Sequence, residues 1–333
     1  MGKLASEELQ KLLACIRKNP QVIVPPLAGY DAGVHLIDAK CVVVSTDPCI
    51  GVPEEWFGWL LINYAASDVA LFGTKPEFCT ITLLAPLATE PQVFHSAMKQ
   101  ACAAADELSM AIVTGHTGTY NGLSALVGVC TAYGTAQPEK LITPGNAKPG
   151  DDILCTKPVG LETAVNFSLT RKALARKLFG AERAEELAGL VPMQSCVREA
   201  LQLAESGCVH AMHDATEGGL AAALNELAEA SAVGFTIEFE KVPVSSEVRT
   251  LQRSFKLTDE QVLSMSSTGT VLAAVKPEDK DRVTEMMRRI GLTASFPGEF
   301  TERKRRVLLK DRKQTRFPKI ADDPYSRILS GKV

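Results

Sequence analysis

Residues 54–72 are apolar on nearly every face of the helix their composition predicts, and the run stops at Gly73. A helix apolar all round cannot lie on a surface. Any fold of this chain must therefore cover it on every side, and we expect a subunit interface to supply part of that cover. Asp68 lies inside the run, in Ala65-Ala66-Ser67-Asp68-Val69-Ala70. An ionised carboxylate in that setting needs a partner, either a coordinated cation or an ion pair such as one with Lys75.

Asp68 is one of a spaced set of aspartates beside small residues. Asp31 sits in Gly29-Tyr30-Asp31-Ala32-Gly33, Asp47 closes Val42-Val43-Val44-Ser45-Thr46-Asp47, and Asp214 opens Asp214-Ala215-Thr216-Glu217-Gly218-Gly219. Small neighbours let backbone and a hard cation approach together, and Mg²⁺ takes oxygen ligands and commonly accompanies phosphate. The set points to a nucleotide-phosphate site built without a phosphate-binding lysine loop, since no Gly-x-x-x-x-Gly-Lys-Ser/Thr occurs. Asp47 is expected at the end of a strand over 41–46, where an aspartate also serves as a plain turn former. Ser45 and Thr46 add hydroxyl oxygens to a cation shell.

Two glycine-containing segments suit an anion. Thr114-Gly115-His116-Thr117-Gly118-Thr119 follows a strand at 110–114 and reads as a turn whose successive amides form a nest. His116 there bonds phosphate, contacts a substrate, or merely fills the turn. His213-Asp214-Ala215-Thr216-Glu217-Gly218-Gly219 precedes a helix expected from Glu217 to about Ala232, whose N-terminus presents free amides. Asp214 serves equally as that helix's cap. Lys157, after a strand at 152–156, either steers phosphate or is solvated, with the solvated reading slightly favoured.

The 333 residues suggest two domains. Pro144-Gly145 and Pro149-Gly150 punctuate a polar stretch, so we place the boundary between 1–148 and 149–333. Strands and helices follow one another irregularly in each half. This predicts α+β domains, each a mixed sheet covered by helices on one face, rather than a doubly wound parallel fold. Residues 315–333 read as a weakly structured tail. The net charge of −3 gives no reason to expect nucleic acid, and the basic run Arg303-Lys304-Arg305-Arg306 reads as a solvated strand-and-turn surface. Nine cysteines with no Cys-x-x-Cys pair indicate free thiols in a reducing cytosol, with no zinc site. No apolar signal core and no run of roughly 18 apolar residues is present, so we expect a cytoplasmic protein without a membrane span.

Taken in order, these motifs resemble the aminoimidazole ribonucleotide synthetase (PurM) superfamily. The likeness runs from Asp31-Ala32-Gly33-Val34 through Ser45-Thr46-Asp47, Ser67-Asp68-Val69-Ala70, Gly73 with Pro76, Gly115-His116-Thr117 and Pro149-Gly150-Asp151-Asp152 to His213-Asp214-Ala215-Thr216-Glu217-Gly218-Gly219. Ser45-Thr46-Asp47-Pro48-Cys49-Ile50-Gly51-Val52-Pro53 is most similar to the HypE-like branch, the hydrogenase maturation factors. The resemblance implies a PurM-like α+β fold. Its N-terminal domain pairs with a second copy in a dimeric β-barrel and binds ATP with Mg²⁺, and a C-terminal α+β domain closes the site. It also implies transfer of the γ-phosphoryl group to a carbonyl, amide or phosphate oxygen of a small-molecule or protein-borne acceptor, and admits a maturation partner protein.

By matched position, Asp31, Ser45, Thr46, Asp47, Asp68 and Asp214 are the implied metal ligands. Gly115, His116, Thr117, Gly118, Lys157, Thr216, Gly218 and Gly219 are the implied nucleotide contacts, with His116 and Asp214 catalytic. Tyr30 stands where many relatives carry a second aspartate, and His116 where the kinase branch has aspartate. HypE proper ends in a reactive cysteine, whereas the last cysteine here is Cys208, so self-cyanation is not implied. A thiamine-monophosphate-kinase-like enzyme and a non-catalytic ATP-binding maturation scaffold are the alternatives.

Overall fold

A computed structural model describes residues 6–319 and 322–331. It divides the chain into two compact units. One holds residues 14–27 and 31–141. The other holds 142–333 together with 28–30 and the N-terminal residues, where helix α1 spans Ser6–Leu13.

The first unit runs β1 (Val22–Val24), β2 (Gly33–Ile37), β3 (Lys40–Ile50), α2 (Phe57–Leu71), β4 (Phe78–Pro86), α3 (Pro91–Leu108), β5 (Ala111–Tyr120) and β6 (Val127–Ala136). Among the described residues these strands form one sheet in the order β1-β2-β3-β6-β4-β5, antiparallel throughout except where β5 pairs parallel to β4. That exception follows from connectivity, because α3 carries the chain across between β4 and β5. Strand β4 alternates strictly, burying Cys79, Ile81, Leu83 and Ala85 on one face.

Helix α2 packs on the sheet at β3 and β6, and α3, which also contacts β5, packs against α2. Every residue of α2 except Tyr64 is buried. This corrects the expectation of a subunit interface there, because sheet and α3 already supply the cover within one chain. The two helices meet at Gly58, where an added Cβ would lie 2.0 Å from the Ala97 carbonyl oxygen.

The second unit contains β7 (Asp152–Cys155), α4 (Leu161–Thr170), α5 (Lys172–Phe179), α6 (Ala181–Ala188), α7 (Val197–Ser206), β8 (Val209–Asp214), α8 (Gly219–Ala230) and β9 (Gly234–Glu238). It continues with α9 (Ser246–Ser254), α10 (Asp259–Leu263), β10 (Val271–Val275), α11 (Lys280–Arg289), β11 (Ser295–Thr301), β12 (Arg306–Lys310), β13 (Lys313–Arg316) and α12 (Tyr325–Ser330). Among the described residues the sheet order is β13-β12-β9-β11-β7-β10-β8, with β9 and β12 parallel and the other neighbours antiparallel. Leu220, Leu224 and Leu227 of α8 join Ile153, Leu272 and Phe300 in one apolar cluster. All five residues of β10 are buried, so this sheet is covered at its centre on both faces, not on one as expected.

A second cluster joins Phe167, Val248, Leu251, Phe255 and Ile328. Ile328 belongs to α12, so part of the stretch expected to be a loose tail is packed core. Arg171 ties it down through the carbonyls of Leu329 and Ser330. No helix among the described residues is long and apolar enough to cross a membrane.

Gly58→Ala should destabilise the protein by roughly 1–3 kcal/mol in urea unfolding, because backbone on α3 has no rotamer with which to yield. An unchanged unfolding midpoint would contradict this close approach of α2 and α3.

Candidate functional site

In the first unit, strand alternation sorts the expected ligands. Ser45 and Asp47 share the α2-facing side of β3, and Thr46 points to the opposite face. The Ser45 hydroxyl donates to Asp68 Oδ2 at 2.7 Å, and both residues are buried. Asp47 is close enough that its charge helps push the buried thiols of Cys49 and Cys130 above the usual range, burial being the larger cause for Cys49 and the Cys79 hydrogen bond for Cys130. The structure thus gathers Ser45, Asp47 and Asp68 on one side. Thr46 leaves the set, its hydroxyl accepting from Thr131 Oγ1 at 3.0 Å across the exposed face. Asp47 lies within β3 and is paired with Cys130 of β6, so it is not the strand-ending turn residue expected. Asp31 is half-buried in the bend before β2.

The segment Gly115-His116-Thr117-Gly118 is not a turn. It is the middle of β5, the edge strand, in register with Ile81 to Leu84 of β4. Successive amides of an extended strand point in opposite directions, so the expected nest does not form. Gly115 is required for another reason, because a Cβ there would lie 2.2 Å from the Ile81 carbonyl oxygen. His116 is exposed, and its Nε2 lies 2.5 Å from the Tyr120 hydroxyl.

In the second unit, β8 ends at Asp214, which pairs with Val271 of β10 and is buried. His213 sits against it, with Nδ1 3.6 Å from Asp214 Oδ1. Its Nδ1 lies 2.8 Å from the Asp214 carbonyl oxygen and its Nε2 lies 3.0 Å from Glu226 on α8. The chain then turns through Gly218 (φ +77°) and Gly219 (φ +55°) into α8, two residues later than expected. Gly219 has no room for a side chain, since a Cβ would lie 2.4 Å from the Met265 carbonyl oxygen.

The amide of Gly218 does face a negative group, and that group is the chain's own Asp323. Its Oδ2 accepts from Gly218 N at 3.2 Å and from Ser266 Oγ at 2.6 Å. Thr216 contributes its carbonyl to Gly219 N. Beside them lies Glu162, half-buried, accepting from Thr268 Oγ1 at 2.6 Å. Burial pushes its carboxyl up to about 7, against the Thr268 bonds that lower it, and the charges of Glu217 and Asp323 push it further up. Tyr325, whose phenol is raised by burial, donates into neither acid and accepts from Asn166 Nδ2 at 2.9 Å. Sequence reasoning missed Glu162, Ser266, Thr268, Asp323 and Tyr325. The run Asp322-Asp323-Pro324 was a legible helix start, since Asp323 Oδ1 accepts from Tyr325 N, but nothing local links it to Gly218.

Lys157 is neither solvated nor a phosphate ligand. Its ammonium is buried, lies 2.5 Å from Glu199 Oε1, and donates to the carbonyls of Met193, Ser195 and Gly269 at 2.8–2.9 Å. Its three protons are fully occupied, so no phosphate can claim it. The cysteines are all free thiols, as expected.

Two units built on mixed sheets, in this order along the chain, define a two-domain α+β protein of PurM-like fold. The chain belongs to the AIR synthase related protein family: the N-terminal domain model matches residues 29–136 and the C-terminal domain model residues 148–310. It is similar to a Methanocaldococcus jannaschii protein named for hydrogenase expression/formation, at 29% identity over 260 residues, 78% of this chain and 74% of that one. It is also similar to the selenide, water dikinase of Myxococcus xanthus, at 28% identity over 261 residues, 75% of this chain and 70% of that one. Among solved structures, the hydrogenase maturation protein HypE in complex with ATP aligns with a TM-score of 0.72 and 20% identity, covering 97% of each chain.

Two measurements check this account. Lys157→Met should cost about 3–5 kcal/mol of stability in chemical denaturation, because Glu199 is left buried and unpaired, and the double change with Glu199→Met should recover much of it. For Glu162 the folded state keeps a proton that an unfolded carboxyl of ordinary value 4.5 releases. Stability should therefore fall as pH rises from 4.5 through about 7 and level off above, and Glu162→Gln should flatten that slope.

Proposed function

We propose that this protein binds Mg-ATP and transfers the γ-phosphoryl group to a carbonyl, amide or phosphate oxygen of a small-molecule or protein-borne acceptor. The observation that carries the reading is the Ser45–Asp68 hydrogen bond, with Asp47 on the same face of β3. An acid on an apolar helix is oriented there by a hydroxyl whose own lone pairs remain available. Two carboxylates and a hydroxyl form an all-oxygen donor set, which fits Mg²⁺ and not a soft metal. Mg²⁺, when bound, neutralises charge on the triphosphate, the main requirement of phosphoryl transfer. Asp47 and Asp68 are the proposed ligands in the first unit, Asp31 and Asp214 further ones. His116, with Tyr120 beside it, and Asp214 are the proposed proton-handling groups. The Gly218 amide, which holds the Asp323 carboxylate, is suited to a phosphate oxygen by the same chemistry.

In this reading residues 1–148 are the nucleotide-binding and pairing domain, and 149–333 the C-terminal domain. A homodimer is supported by the open edge of β5, which exposes Val113 and Tyr120, and a second copy joining there would extend the sheet toward a barrel. The name of the M. jannaschii relative favours a role in hydrogenase formation, and the likeness to a HypE solved in complex with HypF supports a partner protein. The likeness to a dikinase keeps a small-molecule kinase as the second reading.

Asp68→Ala and Asp47→Ala should each lower Mg-ATP affinity by at least about tenfold in calorimetry, the loss of a charge-assisted contact. Unchanged affinity in both would remove the metal assignment. Phosphorus NMR of the product then separates a kinase, which leaves a stable phosphate ester, from an activating enzyme, which releases inorganic phosphate.

A further inference from the structure

The basic run at 303–306 reads from sequence as a solvated surface, and the fold gives it a different setting. A cavity of about 630 Å³ opens in the second unit between the C-terminal half of α8 and the β12–β13 pair. Lys304, Arg305 and Arg306 line it from the start of β12, Arg316 from the end of β13, and Lys319 from the segment beyond. Five cations from separate stretches of chain thus border one concavity, in a protein whose net charge is −3. Glu229 is the one acid on the wall.

Arg306 is held in place. Its Nη1 donates to Asn225 Oδ1 at 2.8 Å and its Nη2 to Glu229. Asn225 is itself buried and anchored, donating to the carbonyls of Ala221 and Pro318 at 2.7 and 2.8 Å. The remaining four cations make no side-chain ion pair among the described residues. Like charges facing one concavity repel one another and concentrate positive potential within it, and a polyanion relieves both. Ala228, Ala232, Val233 and Val307 supply apolar wall beside the charges. A volume in the range of small-molecule pockets, with mixed apolar and cationic lining, suits a compact ligand better than an extended acidic chain.

We propose that this cavity is a binding site for a small molecule carrying two or more phosphate groups, separate from the Ser45–Asp47–Asp68 cluster and independent of divalent metal. Arginine and lysine heads grip the phosphates, and the apolar wall takes the organic part.

The test uses the full chain with inorganic tripolyphosphate as probe, in chelator to exclude divalent ions, followed by calorimetry. Wild type should bind at a single site. Lys304→Glu/Arg316→Glu, both at exposed positions, should lower affinity by about tenfold or more. Arg312→Glu/Lys313→Glu, the same charge reversal just outside the cavity, should cost markedly less affinity, since these exposed side chains act on the probe only through solvent and not by direct contact. Asp68→Ala should bind the probe as wild type does, which keeps this result separate from the fate of the proposed ATP site. Equal losses in the two reversal variants would mean general surface electrostatics and would overturn the site. So would loss of binding in Asp68→Ala, absence of binding at millimolar probe, or a glutamate oligopeptide that competes as well as tripolyphosphate.

Discussion

The first unit depends on burying α2. A helix with apolar residues on all sides needs both the sheet and α3 to cover it, and Gly58 exists because that packing brings two backbones into contact. The same burial gives Asp68 its character. In water its carboxylate is unremarkable. Under a sheet it must be satisfied, and the Ser45 hydroxyl on β3 is part of how that is done. Core formation and site formation are therefore a single event here, because the strand that covers the helix also carries Ser45 and Asp47.

The second unit solves a related problem twice. Lys157 and Glu199 are buried together with three carbonyls as further acceptors, an arrangement that orders the segments around Met193, Ser195 and Gly269. Such a pair contributes little net stability, since desolvation offsets attraction, yet removal of one member is costly. At the start of α8 the positive end of the helix is matched by Asp323, brought from the far end of the chain by the packing of Ile328. Glu162 nearby has its carboxyl pushed up to about 7 by burial and by the acids beside it, so it keeps its proton through the weakly acidic range. Charge in this unit is governed by what is buried with what, and not by which residues are adjacent in sequence.

How much was legible depends on the range of the interaction concerned. The α+β class, helices α2 and α8, strands β3 and β7 and the start of β5 followed from periodicity and glycine punctuation. Strand β8 escaped notice because His210, His213 and Asp214 break its apolar pattern, and the carboxylates that face the two histidines come from other elements: Asp151 for His210, Glu226 for His213. The Gly115–Gly118 segment was read as a turn because glycines favour turns. In the fold the glycine relieves a clash with Ile81 on the neighbouring strand, which local reasoning has no means of seeing. Thr46 was grouped with Ser45 and Asp47 by adjacency, and strand geometry separates adjacent residues onto opposite faces.

By itself the sequence determined the α+β class, the need to bury residues 57–71, and the resemblance carried by its aspartate and glycine motifs. These depend on propensity and spacing over a few residues. Only the tertiary structure decided that Ser45 meets Asp68, that Lys157 is spent on Glu199, that Asp323 occupies the head of α8, and that Lys304 and Arg316 border one cavity. Those pairings join positions 12 to 105 residues apart, counting from Lys304–Arg316 to Gly218–Asp323. Contacts at such separations arise from the packing of whole elements, which no short stretch of chain encodes.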